Sequence, residues 1–220
     1  LTLEALLDRS EVVTIGIDGG GLDDLLGLAV IGRDKKTREW LAWSRAWCNP
    51  KVLELRKDIA ANLLDFKEEG TLSIVPVPED VAELAAIIAQ INASGLLPEK
   101  NAIGLDPNNA AAVIEALAGA NIPDEMIRRL LQGPALAPAL YGLERKLSDG
   151  TFWHAGQLMM SWVVSNAKVE QRGNQVMVTK QISGRAKIDP LIALFQAAIL
   201  MSWNPTAGML LTGADILTVV

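Results

Sequence analysis

Five aspartates stand where a chain reversal or a helix start could hold a divalent cation: Asp18, Asp23, Asp24, Asp106 and Asp189. Asp18 closes the apolar run Val12-Val13-Thr14-Ile15-Gly16-Ile17 and is followed by Gly19-Gly20-Gly21, with Asp23 and Asp24 just beyond. Asp106 closes a second short apolar run, Ala102 to Leu105, and Asp189 opens a long apolar stretch. Carboxylates with open coordination positions suit Mg²⁺ or Mn²⁺, which prefer oxygen ligands. Two such ions about 3.5–4 Å apart can activate a water and stabilise the oxygen that leaves in phosphodiester cleavage. A plainer reading competes. Asp and Gly cluster in turns for backbone reasons alone. Asp106 and Asp189 each precede a proline, as an N-cap with proline at the first helical position would. Capping accounts for both residues and is compatible with metal binding.

The elements that would bring these acids together can be read from the pattern. The run at 12–18 has the β-branched composition of a central strand buried on both faces. Leu25 to Arg33 reads as its hairpin partner and Arg38 to Trp47 as a third strand, which makes an antiparallel meander. Asn49-Pro50 predicts a helix running to about Glu69 and stopped by Gly70, then a strand over 71–77 and a helix from Pro78 to near Gly95. After the strand ending at Asp106 comes a helix to Gly119, a helix-like pattern over 123–132, a helix over 134–147 and an apolar structured segment over 157–164. Lys168 to Val178 predicts a hairpin around Arg172-Gly173-Asn174. A helix from Asp189-Pro190 closes the pattern. Strands in a meander followed by strands alternating with helices predict an α/β fold, a mixed sheet flanked by helices. One domain over 1–220 is expected, with 1–10 a linker helix, 168–180 the hairpin and 205–220 a C-terminal tail. If the strand ending at Asp106 lies beside the one ending at Asp18, both acids fall on the carboxyl edge of the sheet, where ligands gather in open α/β folds.

Composition excludes some alternatives. Half of the 220 residues are hydrophobic, as a globular chain requires. A single cysteine, Cys48, rules out an intramolecular disulfide and a cysteine-rich metal site, and suits a reducing compartment. A single histidine, His154, argues against a histidine-based zinc site. The net charge of −6 disfavours broad attraction to nucleic acid or an anionic membrane but leaves room for a local basic patch. Lys168, Arg172, Lys180, Arg185 and Lys187 gather in and after the predicted hairpin, as a phosphate-contacting stripe would or as a solvated strand edge would. The apolar run from Leu191 to Trp203 falls short of the roughly 20 residues needed to span a bilayer, so it reads as a core helix and no membrane association is expected.

With these residues in view, the chain resembles the nuclease domain of tailed-bacteriophage terminase large subunits, which has an RNase H-like fold. That family carries an Asp at the end of the first strand and another six positions on, followed by Leu; Asp18 and Asp24-Leu25 match. Asp106-Pro107-Asn108-Asn109-Ala110 is close to a mid-chain family motif. The longest match runs from Leu143-Glu144-Arg145 through Asp149-Gly150, His154 and Trp162-Val163-Val164-Ser165-Asn166-Ala167, and ends at Lys187-Ile188-Asp189. The resemblance implies that Asp18, Asp106 and Asp189 hold two Mg²⁺ or Mn²⁺ ions, with Asp24 an accessory acid. Lys187 then contacts the scissile phosphate or is simply solvated, while His154 and Asn166 are expected in structural roles and Trp162 in the core. The function implied is cutting of concatemeric double-stranded viral DNA during genome packaging, in the host bacterial cytoplasm at the procapsid portal. A packaging ATPase domain, a terminase small subunit and a portal protein are the implied partners. Two departures stand out: Gly19-Gly20-Gly21 replaces the Ser-rich turn usual after the first acid, and no G-x-x-x-x-G-K-[ST] phosphate loop lies within the 220 residues. The ATPase part is therefore not expected in this chain, which starts on Leu1 as an excised domain would.

Two other readings remain at this point. Gly16-Ile17-Asp18-Gly19-Gly20-Gly21 also resembles the phosphate loop of actin-like sugar and acetate-type kinases, although Leu22-Asp23-Asp24 puts negative charge where those enzymes place a hydroxyl. A third reading is a non-catalytic packaging scaffold that kept the fold, against which the intact set of acids argues.

Overall fold

The computed structural model describes residues 1–108, 110–181 and 187–208. A helix α1 (Leu3–Arg9) leads into three antiparallel strands, β1 (Ser10–Gly19), β2 (Leu26–Asp34) and β3 (Trp40–Cys48). Helices α2 (Lys51–Leu55) and α3 (Ala60–Glu69) precede β4 (Leu72–Ile74), and α4 (Glu79–Ala93) precedes β5 (Ile103–Leu105). Then come α5 (Ala111–Gly119), β6 (Ile127–Arg129), α6 (Ala137–Ser148), β7 (Phe152–His154) and α7 (Leu158–Ser165). The hairpin β8 (Ala167–Arg172) and β9 (Gln175–Lys180) and helix α8 (Asp189–Ser202) complete the described elements. The sheet order is β4-β3-β2-β1-β5-β6, with β5 parallel to β1 and β6 parallel to β5. On the outer edge of β3, β4 pairs with its C-terminal half and β7 with its N-terminal half, both parallel.

The two faces of this sheet differ in side-chain size. Residues alternate in direction along a strand, so Val13, Ile15, Ile17, Leu26, Leu28, Val30, Leu41 and Trp47 all point to one side, where they pack with Leu3 and Leu6 of α1 and with α4 and α5. The other side carries Thr14, Gly16, Gly27, Ala29, Ala42, Ser44 and Ala46, all small. Helix α8 lies on that small-residue face, and its interior is buried from Asp189 to Ala198. A Cβ at Gly16 would stand 1.8 Å from the Ala193 carbonyl oxygen, and one at Gly27 2.7 Å from the Pro190 nitrogen. Backbone therefore rests on backbone. The Thr14 hydroxyl donates to the Ala197 carbonyl at 2.9 Å, and the Gln196 side chain accepts from the Ile17 N–H at 3.1 Å, fixing the helix along the strand.

The meander, the parallel strand after it, the hairpin and the terminal helix match the sequence pattern; four expectations do not. The helix from Pro50 breaks at Arg56 (φ −122°, ψ 63°), whose side chain reaches Asp23. The helix-like stretch 123–132 holds only a 3₁₀ turn and the strand β6, because Ile127 pairs with Ile103 on the open edge of β5. Asp106 does not cap α5: that helix starts at Ala111, and the Asp106 carboxylate instead accepts from the backbone and side-chain nitrogens of Asn108 at 2.7 and 2.8 Å. Asp189 is likewise not a cap but the first residue inside α8, with Ile188 at the cap position. Strand β7 had no distinct sequence signal. Asn109, Arg185 and the tail from residue 209 lie outside the described residues.

Contact at backbone distance predicts a sharp asymmetry among glycines. Gly16→Ala should lower stability by about 3 kcal/mol or more, since no flexible side chain can yield. Gly142, inside α6 with nothing near its missing Cβ, should gain roughly 0.5–1 kcal/mol as alanine. Thermal melts of the two variants beside wild type check both signs.

Candidate metal centre

Parallel pairing of β1 and β5 aligns Ile17 with Leu105, so the next residues, Asp18 and Asp106, leave the same edge of the sheet side by side. Asp18 keeps the direction of Thr14 and Gly16, toward α8, and is 7% exposed. Helix α8 delivers Asp189 to the same place. The Asp189 Cβ lies where a side chain at Gly19 would begin, 3.2 Å from a Cβ built there, and Gly19 holds φ +90°. Gly20 follows with φ +105°, and its N–H donates to the Leu25 carbonyl at 3.0 Å, which closes the β1–β2 turn and brings Asp24 in. Positive φ at two successive residues is open to glycine and strained for others. The glycine-for-serine departure thus has a backbone reason.

The protonation of Asp18, Asp189 and Asp24 is shaped by burial and by their charged neighbours. Burial, with the charges of Asp106 and Asp24, pushes the Asp18 carboxyl up to about 7, against the Gly19 N–H and Lys180. Burial also pushes Asp189 well above the usual range, with the Asp24 charge adding to it. Asp24 goes the other way: burial alone would raise it, but a hydrogen bond from Asp189 and the charges of Lys180 and Lys187 keep it low. The proton thus sits on Asp189 and the negative charge on Asp24. Lys180 Nζ lies 3.2 Å from Asp24 Oδ2 and Lys187 Nζ 3.1 Å from Asp24 Oδ1, while Lys187 also donates to the Asp23 carbonyl. Asp23 itself turns outward to Arg56, with Arg56 Nε 2.9 Å from Oδ1.

Of the residues singled out in the sequence, Asp18, Asp24, Asp106, Asp189, Lys180 and Lys187 come together. Lys187 is 3% exposed, so the expectation of a solvated lysine does not hold; its ammonium needs Asp24 to be buried at all. Lys180 and Lys187 point inward and form no stripe on the hairpin. Lys168 and Arg172 are exposed on β8 and pair with Glu170 at 3.1 and 3.2 Å. His154 is exposed, its Nδ1 accepting from the Gly156 N–H, and Asn166 donates to the Lys187 carbonyl at 3.1 Å, anchoring that lysine's backbone. Trp162 is half-buried against Phe66, ring centroids 5.5 Å apart. One residue at the site carried no sequence signal: Gln132, whose Nε2 donates to Asp18 Oδ1 at 2.6 Å.

The donor set fits a hard divalent cation in its chemistry. It is all carboxylate oxygen, and Asp189 Oδ2 is buried with no hydrogen-bond partner. Such an orphaned acceptor calls for a missing partner. Among the described residues no three His, Cys, Asp or Glu side chains are gathered as one ion would need them. Asp24 faces the two lysines instead.

Comparison with known proteins identifies the family to which this fold belongs. The family model described as terminase large subunit, endonuclease domain, matches residues 11–203, and the chain belongs to that family. The large terminase of bacteriophage HK97 superposes with a TM-score of 0.67 at 19% identity, over 89% of this chain and 41% of that one. The chain therefore spans about two-fifths of the length of the HK97 protein. The large terminase nuclease of thermophilic phage G20c, solved with bound magnesium, superposes at 0.52 and 11% identity over 86% of this chain and 80% of that one. The nuclease domain of Thermus phage P74-26 gives 0.50 and 13% over 84% and 77%. At these identities the likeness establishes the RNase H-like fold. No curated protein matches the chain. Family membership sets aside the kinase reading of the glycine turn. Among the described residues no helix is long and apolar enough to cross a membrane.

Proton linkage gives a test. The folded protein holds a proton on Asp18 up to about pH 7, whereas an unfolded Asp releases it near 3.9. The folded state binds more protons in that window, so metal-free stability falls as pH rises from about 4 to 7, by up to roughly 4 kcal/mol. Asp189 acts in the same direction, while Asp24, held low, costs stability only in more acid solution. Melting temperature in EDTA should drop between pH 5 and 8, and Asp18→Asn should flatten the slope. A flat wild-type profile would contradict the assigned protonation.

Proposed function

We propose that this domain is a divalent-metal-dependent endonuclease that cuts double-stranded viral DNA with little base specificity. The observation that carries the reading is that Asp18 and Asp106 leave one sheet edge side by side while α8 brings Asp189 against Gly19, with Asp189 Oδ2 buried and unpartnered. Asp18, Asp106 and Asp189 would hold Mg²⁺ or Mn²⁺, two ions on this reading, with Asp24 accessory. Bound there, the metal would activate the attacking water and stabilise the departing 3′ oxygen. The chain's own part is to deliver the ligands. Asp18 and Asp189 must give up protons that burial makes them keep, so occupancy of the site rises with pH. Lys180 and Lys187 neutralise Asp24 and place two ammonium groups beside the acids, where a phosphate oxygen arriving at the edge could exchange for Asp24. Lys168 and Arg172, exposed on the hairpin, and Arg185 after it, are proposed to contact the DNA backbone.

In its biological setting the domain would act with a packaging ATPase domain, a terminase small subunit and a portal protein. The place is the procapsid portal in the host bacterial cytoplasm, and the substrate concatemeric DNA at the start and end of capsid filling.

Plasmid nicking measures this directly. Wild type should relax supercoiled DNA with Mn²⁺ or Mg²⁺ and not with EDTA, and Asp18→Asn and Asp189→Asn should each lower the rate at least about 100-fold, several kcal/mol of barrier. Cleavage surviving in both variants would sink the site assignment. A folded wild type inert in both metals would point to the scaffold or to a nuclease that needs its ATPase part, and retesting with the full-length chain separates the two.

A further inference from the structure

Gln132 reaches the site from outside the matched acids. Past β6 the pairing continues for one residue, the Leu130 N–H donating to the Leu105 carbonyl at 2.8 Å, which carries the chain beyond the edge where Asp106 stands. Gly133, at φ +76°, then turns it into the 3₁₀ segment Gly133–Leu136. Between these two fixed points Gln132 lies over Asp18. The residue is exposed, yet its amide donates to the carboxylate of Asp18, a residue 7% exposed. Pinning a long exposed side chain costs rotamer entropy and returns about 1 kcal/mol at best. Fold stability is therefore a poor reason for the contact.

Resting on the metal-dependent reading above, we infer that Gln132 is a positioning residue that orients the Asp18 carboxylate for cation binding. The Gln132 amide, donating to Oδ1, fixes how that carboxylate is turned. A neutral donor suits the task. The ammonium groups that hold Asp24 compete with any cation through their charge, whereas an amide orients an acid without opposing the ion and cannot itself lose a proton. Partners that orient a metal's ligands typically govern affinity by ten- to a hundredfold.

Two variants of the 220-residue chain separate this from simple packing. Gln132→Met keeps the length of the side chain and removes the donor; Gln132→Ala removes both. Mn²⁺ affinity is read by the loss of the free-ion electron paramagnetic resonance signal, beside metal-free melting temperature. Both variants should bind Mn²⁺ roughly tenfold or more weakly than wild type, with melting temperatures within about 2 °C, as for a surface substitution. Raising Mn²⁺ should restore nicking. Wild-type affinity in both variants, or in Gln132→Met alone, would overturn the inference. Loss of binding in Asp18→Asn beside unchanged Gln132 variants would leave the metal site standing and remove only this role. No Mn²⁺ binding by wild type would overturn both.

Discussion

Helix α8 touches the β1–β2 ribbon backbone to backbone, and the geometry of the acid edge follows from that distance. Gly16 and Gly27 leave no room for a side chain between strand and helix, and Gly19 leaves none beside Asp189. An ordinary sheet–helix packing, with large side chains on both partners, would hold the helix several ångströms farther out. Asp189 would then stand too far from Asp18 to feel its charge. The buried Thr14 and Gln196 contacts set the position of α8 along the ribbon, so its first residue falls level with the end of β1. The large side chains on the other face supply the burial that this thin interface cannot, through the cluster around Ile15, Leu28 and Trp47.

Bringing four carboxylates to one edge has an electrostatic cost, and the molecule meets it in two ways. Asp18 and Asp189 are driven toward their neutral forms by burial first and then by neighbouring carboxylates, Asp106 and Asp24 for Asp18 and chiefly Asp24 for Asp189, while Asp24 keeps its charge under two ammonium groups. The arrangement is one of groups waiting for positive charge. On the proposed reading, a divalent cation replaces the protons, and the lysines become available to the substrate's phosphates. This ties together the orphaned Asp189 oxygen, the inward turn of Lys187 and the low placement of the Asp24 proton affinity without a separate cause for each.

The strands and the acids at their ends were legible because the signals are local: β-branched runs, glycine stops, an Asp after each. The meander and the hairpin could be read for the same reason. What could not be read depended on partners distant in sequence. Ile127 becomes a strand only because β5 has an open edge, and the helix after Pro50 breaks where Arg56 finds Asp23. Asp106 and Asp189 looked like caps, yet α5 starts only at Ala111 and α8 already contains Asp189 as its first residue, so neither carboxylate caps its helix. Lys180 and Lys187 looked like part of a surface stripe because sequence gives spacing but not direction. The small residues at 16, 27, 29, 42 and 46 were in plain view, alternating with large ones, and that alternation marks the face a close-packed helix will cover. Gln132 had no local signature at all; only the fold brings it within 2.6 Å of Asp18.

The most direct measurement is a crystal structure of the chain grown with Mn²⁺, with anomalous diffraction collected to locate the metal. The account predicts manganese at the edge of the sheet, liganded by Asp18 and Asp189 and flanked by Asp106, with the formerly unpartnered Asp189 oxygen among the ligands. Manganese bound elsewhere, or a fully ordered acid edge with both lysines still on Asp24 and no anomalous signal between the carboxylates at saturating metal, would contradict it.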